Sequence, residues 1–221
     1  VKHKFPTIII DDFFETPSLV REFALQQKFS KDHPGNWPGY RTNMLNELDN
    51  ELYNKFASKL FSNFVDGRYE YLLDAQFQYS DASYQSGWVH HDNFEKYDFA
   101  GVVYLTPDPP ENSGTCIYDI TEKTKQFSKW EDVDNSKWEF MKEDCSTEIR
   151  TLISVLRDEY NSIFKLQDIC CNKYNRCLIF SASQQHAEQN FFGSDKYDSR
   201  LTLCFFGKIL STTQDHKYIF L

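Results

Sequence analysis

The stretch Arg200-Leu201-Thr202-Leu203-Cys204-Phe205-Phe206 reads as a β-strand, being rich in aromatic and aliphatic residues with no Gly or Pro. Side chains alternate along a strand, so Arg200, Thr202, Cys204 and Phe206 share one face, and Leu201, Leu203 and Phe205 share the other. A buried guanidinium is costly unless it is paired. An arginine opening such a strand, with a hydroxyl two residues on, makes a fork for a carboxylate. A surface arginine at a strand end is the competing reading of this segment taken alone.

Working outward, the chain from Asp74 onward alternates short aromatic and β-branched runs with turn residues. The runs are Phe77–Tyr79, Trp88–Asp92, Phe99–Thr106, Thr115–Ile120 and Arg176–Ser181. They predict a core of antiparallel strands. Pro107-Asp108-Pro109-Pro110 followed by Asn112-Ser113-Gly114 marks a tight connection between two of them. The first third reads as helical after a strand-like Ile8-Ile9-Ile10. Thr16 stands where an N-cap is expected, Pro17 opens a helix, and Leu19, Val20, Phe23 and Ala24 follow at helical spacing. A second helical stretch from Leu45 to about Phe64 aligns Leu48, Leu52, Phe56, Leu60 and Phe64. The charged, helix-prone segment 127–161 reads as an insertion on the rim of the sheet. The expected fold class is therefore mostly β with flanking helices in one domain over 1–221. Residues 1–73 form a mainly helical support and 74–208 the β core.

Composition narrows the partners. Of 221 residues 40% are hydrophobic, with 20 Phe, 13 Tyr and 4 Trp, and only 8 Gly and 7 Pro, which is a globular composition. The net charge of −9, with no run of Lys and Arg, argues against nucleic acid. No apolar run is long enough to cross a bilayer, and Val1-Lys2-His3-Lys4 is not followed by a stretch of signal-peptide length, so a cytoplasmic protein without a membrane partner is expected. The six cysteines contain no Cys-x-x-Cys and read as reduced thiols.

Gly87-Trp88-Val89-His90-His91-Asp92-Asn93 carries the chemistry. Residues two apart on a strand project to one face, so His90 and Asp92 are placed to chelate one metal while His91 points away. A His-x-Asp by itself is a weak signal. It gains weight from His186, which closes a polar stretch running out of the apolar Cys177–Ser181 strand. Two imidazoles and one carboxylate take one face of an octahedral ion and leave three positions open, as at non-haem iron(II) sites and unlike closed structural zinc sites.

The series His90-x-Asp92, His186 and Arg200-x-Thr202 resembles the 2-oxoglutarate- and Fe(II)-dependent oxygenases, especially their prolyl-hydroxylase-like branch. The likeness covers roughly Asp74 to Lys208 and takes in Val102-Val103-Tyr104-Leu105-Thr106 and Ser113-Gly114-Thr115. It implies a double-stranded β-helix (jelly-roll, cupin-like) core, Fe(II) on His90, Asp92 and His186, and 2-oxoglutarate chelated to it. Arg200, Thr202, Tyr104 and Tyr79 would hold the far carboxylate. With O2 such an enzyme hydroxylates an unactivated C–H bond as 2-oxoglutarate becomes succinate and CO2. The branch commonly has Asn after Tyr-Leu and a Gly-Gly pair, where this chain has Thr106 and a single Gly114. The second substrate is therefore unidentified, with a peptide or amino acid favoured only by the branch likeness. The insertion 127–161 and the Gln27–Tyr40 region are read as its entrance, with Trp37, Trp130 and Trp138 as candidate wall residues. A cupin-like iron oxygenase that does not use 2-oxoglutarate, and a non-catalytic binding barrel, are the two alternatives.

Overall fold

The computed structural model describes residues 3–31, 37–213 and 218–219. Residues 32–36 of the Gln27–Tyr40 region lie outside them. In chain order the elements are β1 His3–Lys4, β2 Ile8–Ile10, α1 Pro17–Gln26, β3 Tyr40–Met44, α2 Leu45–Leu48, α3 Asn50–Phe61, β4 Tyr69–Ser80 and β5 Phe99–Tyr104. They continue with β6 Thr115–Asp119, α4 Glu122–Gln126, α5 Trp130–Met141, α6 Thr147–Asn161, β7 Lys165–Cys170, β8 Cys177–Ser181, β9 Gln185–Glu188, β10 Arg200–Thr212 and β11 Tyr218–Ile219. The chain is mostly sheet with helices. One sheet has the order β2-β8-β5-β10-β4-β3 and a second β7-β6-β9, both antiparallel, and β1 pairs with β11 in parallel.

The alternation on β10 decides how the six-stranded sheet is used. Leu201, Leu203 and Phe205 are fully buried in the main core, where α3 supplies Phe56, Leu60 and Phe61. Phe56 meets Phe205 edge-on at 5.3 Å, and Phe61 meets Phe99 at 5.6 Å. Each fully buried side chain of this size is worth about 1.5–3 kcal/mol, so this face anchors the sheet. The opposite face, carrying Arg200, Thr202, Cys204 and Phe206, looks into a cavity of about 620 Å³.

Helices follow the expected stripes with two adjustments. α1 starts at Pro17, but Thr16 makes no side-chain cap bond. The Leu45–Phe64 stretch breaks at Asp49, whose carboxylate accepts from the Glu51 and Leu52 N–H groups at 2.9 Å each and caps α3. The first third is less helical than its sequence suggests, because β2 and β3 form the two edges of the six-stranded sheet. All six cysteines are free. The 127–161 segment, inserted between β6 and β7, folds into α5 and α6. These pack Val133, Phe140 and Tyr160 around Trp88 in a second core. Among the described residues no helix is long and apolar enough to cross a membrane.

Candidate active site

Extended backbone through residues 87–92 runs beside β9. The run was predicted as a full strand, yet it carries one β-bridge, between His90 and His186. The two histidines exchange backbone hydrogen bonds, His90 N–H to His186 O at 3.0 Å and His186 N–H to His90 O at 2.8 Å. On the other edge no strand is present among the described residues, and the Asn161 side chain of α6 takes its place. It accepts from Val89 N–H at 2.9 Å and donates to Gly87 O at 2.9 Å. Glycine is required at 87 because a Cβ there would lie 2.6 Å from the Glu188 nitrogen.

This backbone brings one ligand atom each of His90, Asp92 and His186 within 4.8 Å of one another, a group that could hold a metal ion. His186 Nε2 is 3.7 Å from an Asp92 oxygen. Both imidazoles are oriented alike: His90 Nδ1 lies 2.8 Å from Trp88 O and His186 Nδ1 2.9 Å from Gln184 O. A carbonyl can only accept, so each Nδ1 carries the proton and each Nε2 keeps its lone pair for a metal. Burial holds the His90 pKa well below its ordinary value, favouring the neutral ligand form, and pushes that of Asp92 up against the opposing pull of His186 and Arg41. His91 is exposed, packed edge-on against Phe94 at 4.9 Å, as alternation predicts.

Arg200 sits on the same cavity and is 3% exposed. Its Nε donates to Ser113 O at 3.4 Å and one terminal nitrogen to Thr115 Oγ1 at 3.3 Å, and its guanidinium lies over the Tyr104 ring at 5.3 Å. Among the described residues no carboxylate pairs with it. Thr202 lines the cavity as well. Tyr104 is fully buried, its hydroxyl 2.7 Å from Thr115 Oγ1, and burial pushes its pKa up. Tyr79 is a correction. It packs on the opposite face of β4, stacked on Tyr40 at 5.0 Å and edge-on to Phe29 at 5.1 Å, and Gln78 takes the cavity side. Thr115, Gln78, Arg41 and Lys137 reach the cavity without having been singled out in the sequence. Thr115 and Arg41 needed the strand pairing to be found, and Lys137, though the one lysine of α5, sits in a charged segment where nothing marks it. Of the three candidate entrance tryptophans, Trp37 and Trp130 line the cavity, whereas Trp138 is half exposed and does not.

Residues 1–206 match the sequence model of a family of unknown function (DUF6445). The chain belongs to that family. No curated protein matches this chain. Solved structures match it in fold at low identity. HygX from Streptomyces hygroscopicus, with nickel and 2-oxoglutarate bound, is 12% identical at TM-score 0.57, over 98% of this chain and 86% of that one. EvdO2 from Micromonospora carbonacea var. aurantiaca is 9% identical at 0.55, over 96% and 90%. A prolyl hydroxylase from Trichoplax adhaerens, in complex with a hypoxia inducible factor oxygen degradation domain peptide fragment, is 12% identical at 0.52, over 91% and 83%. The resemblance read from the motifs thus extends to the fold of this DUF6445 member.

Proposed function

We propose that this chain is a 2-oxoglutarate- and Fe(II)-dependent dioxygenase, hydroxylating an unactivated C–H bond of a second substrate as 2-oxoglutarate becomes succinate and CO2. One observation carries the reading: a His-Asp-His cluster opens onto the same cavity as a buried guanidinium that lacks an acid. The strand order supports a double-stranded β-helix, with β4, β5, β8 and β10 in one sheet, and β6, β7, β9 and the His90 segment in the other. We read it as one domain of a cytoplasmic protein, 1–73 supporting 74–208.

The residues fit the cofactors. Two imidazoles with free Nε2 atoms and one carboxylate suit Fe(II) and leave open positions for the 2-oxo acid and O2. A divalent ion with one Asp ligand and Arg200 together present a charge of about +2 to a dianion. Unit charges about 4 Å apart attract by about 4 kcal/mol at an effective dielectric near 20. The iron, when bound, supplies the oxidising chemistry with O2. His90, Asp92 and His186 hold it, and Arg200 and Thr202 grip the far carboxylate of 2-oxoglutarate. Tyr104 acts through Thr115, orienting that hydroxyl and covering the guanidinium rather than touching the co-substrate. An iron oxygenase that ignores 2-oxoglutarate would leave Arg200 as an uncompensated buried charge, which disfavours that alternative.

The test is an anaerobic titration of metal-stripped protein with Fe(II) and then 2-oxoglutarate, following the weak visible charge-transfer band of bidentate chelation. The band is expected in the wild type, weakened in Arg200→Leu and absent in His186→Ala. Iron binding without any band in the wild type would withdraw the co-substrate assignment.

A further inference from the structure

The part of the cavity nearest β3 is furnished with donors that nothing among the described residues satisfies. Arg41, on β3, faces the cavity beside Gln78. Its Nε donates to Gln78 Oε1 at 2.7 Å, and Gln78 Nε2 is tied in turn to Pro38 O at 2.7 Å. The guanidinium lies over the Trp37 ring at 4.2 Å and near Phe206 at 5.9 Å. Its position is thus fixed from the stem and from one face, while among the described residues its two terminal nitrogens make no hydrogen bond or ion pair. The indole Nε1 of Trp37, on the same wall, is buried without a partner. A guanidinium held in this way is preorganised for a carboxylate, since its fork is presented at little further entropic cost.

Electrostatics point the same way. Arg41 and Lys137 both act on Asp92 through space. Lys137 has Glu188 and Asp134 within reach to offset its charge. Arg41 thus acts on Asp92, a candidate ligand whose charge a metal ion would take up. A bound metal ion would draw on that charge and leave less of it to offset Arg41 when a second substrate binds. Trp37 and Phe206 lie beside Arg41, and Trp130 and Val133 add apolar wall elsewhere on the same cavity. A volume of about 620 Å³ shared between two molecules suits a small one, against about 300–1,000 Å³ for single-ligand pockets.

We propose that the second substrate is a small carboxylic acid with an apolar body, its carboxylate held by the terminal nitrogens of Arg41 and its body lying against Trp37, Phe206 and Trp130. The inference rests on the oxygenase reading above. It assigns the two arginines of the cavity different anions: Arg200 takes 2-oxoglutarate and Arg41 the molecule to be oxidised.

The probes are 3-phenylpropionate, indole-3-acetate and phenylalanine, each beside its primary amide, titrated calorimetrically into protein loaded with Ni(II) and 2-oxoglutarate. At least one acid is expected to bind about tenfold or more tighter than its amide, the scale of one charge-assisted fork. Arg41→Gln should erase that discrimination and Arg41→Lys should keep part of it, which separates loss of charge from loss of fold. The 2-oxoglutarate affinity of Arg41→Gln should stay within about twofold of wild type. The proposal is overturned if no acid binds, if amides bind as well as acids, or if Arg41→Gln still prefers the acid. It is equally overturned if Arg41→Gln loses 2-oxoglutarate instead, since Arg41 would then serve the co-substrate. Wild-type protein that binds no 2-oxoglutarate at all fails at an earlier step, and what falls there is the oxygenase reading.

Discussion

Arg200 shows what the site costs a single residue. A guanidinium 3% exposed, held by a carbonyl and by hydroxyls but by no carboxylate among the described residues, is expected to be destabilising in the ligand-free chain. Replacing buried ionic groups by apolar side chains of similar volume is often neutral or stabilising, by about 1–4 kcal/mol. Arg200→Leu is therefore expected to unfold at an unchanged or higher urea concentration than wild type when both are metal-free, while binding 2-oxoglutarate more weakly. A large drop in its urea midpoint would mean that the arginine is a structural strut. Tyr79 carries the opposite lesson. Its sequence neighbours already held the answer: Phe77 and Tyr79 share a face, and Phe77 is wholly buried in the main core. The register Thr202↔Gln78 puts the even residues of β4 toward the cavity. Phase along the strand, applied to β10 but not to β4, would have removed Tyr79 from the site.

Among the elements, the metal-proximal segment depends on a helix distant in sequence. Residues 87–92 lack a strand on one edge, and Asn161 at the end of α6 satisfies Val89 N–H and Gly87 O there. Asn161→Ala leaves both groups without that partner and frees the segment that carries His90 and Asp92. Loss of a supporting hydrogen bond commonly costs about 10–100-fold in metal affinity. That range is expected here from competition titrations with a chelator, with the circular dichroism spectrum unchanged. Unaltered metal affinity would show that β9 alone fixes the ligands. No spacing or periodicity signals such a contact, because it joins residues some seventy positions apart through one side chain. The same reasoning explains what was legible. The candidate ligands His90 and Asp92 and the Arg200–Thr202 face follow from local alternation, and His186 from the polar stretch that leaves the Cys177–Ser181 strand. Thr115, Arg41 and Lys137 owe their places to pairings and packing between distant segments. The polar Tyr40-Arg41-Thr42-Asn43-Met44 run gives no strand signal of its own, yet it pairs with β4 and carries Arg41 to the cavity.

At the scale of the whole molecule, the cavity lies between two sheets held by different residues. His186 belongs to the three-stranded sheet and His90 is bridged to it, whereas Arg200 and Thr202 belong to the six-stranded one. A ligand that chelates a metal at one end and meets Arg200 at the other is a cross-link between the sheets, bound only by the folded state. Such a ligand stabilises by about 2.7 kcal/mol at a hundred times its Kd. For chains of about 150–250 residues each kcal/mol raises Tm by about 2–4 °C, so the expected rise is about 5–11 °C. The two ligands should also depend on each other. Ni(II) alone raises Tm modestly by joining residues already paired through the His90–His186 bridge, and 2-oxoglutarate alone does little because half of its grip is missing. Together they raise Tm by more than the sum. In His186→Ala the joint effect disappears, and in Arg200→Leu the metal's share survives while that of 2-oxoglutarate shrinks. If 2-oxoglutarate alone gave the full rise in metal-free wild-type protein, its binding would not run through the metal, and the bridging of the two sheets argued here would be wrong.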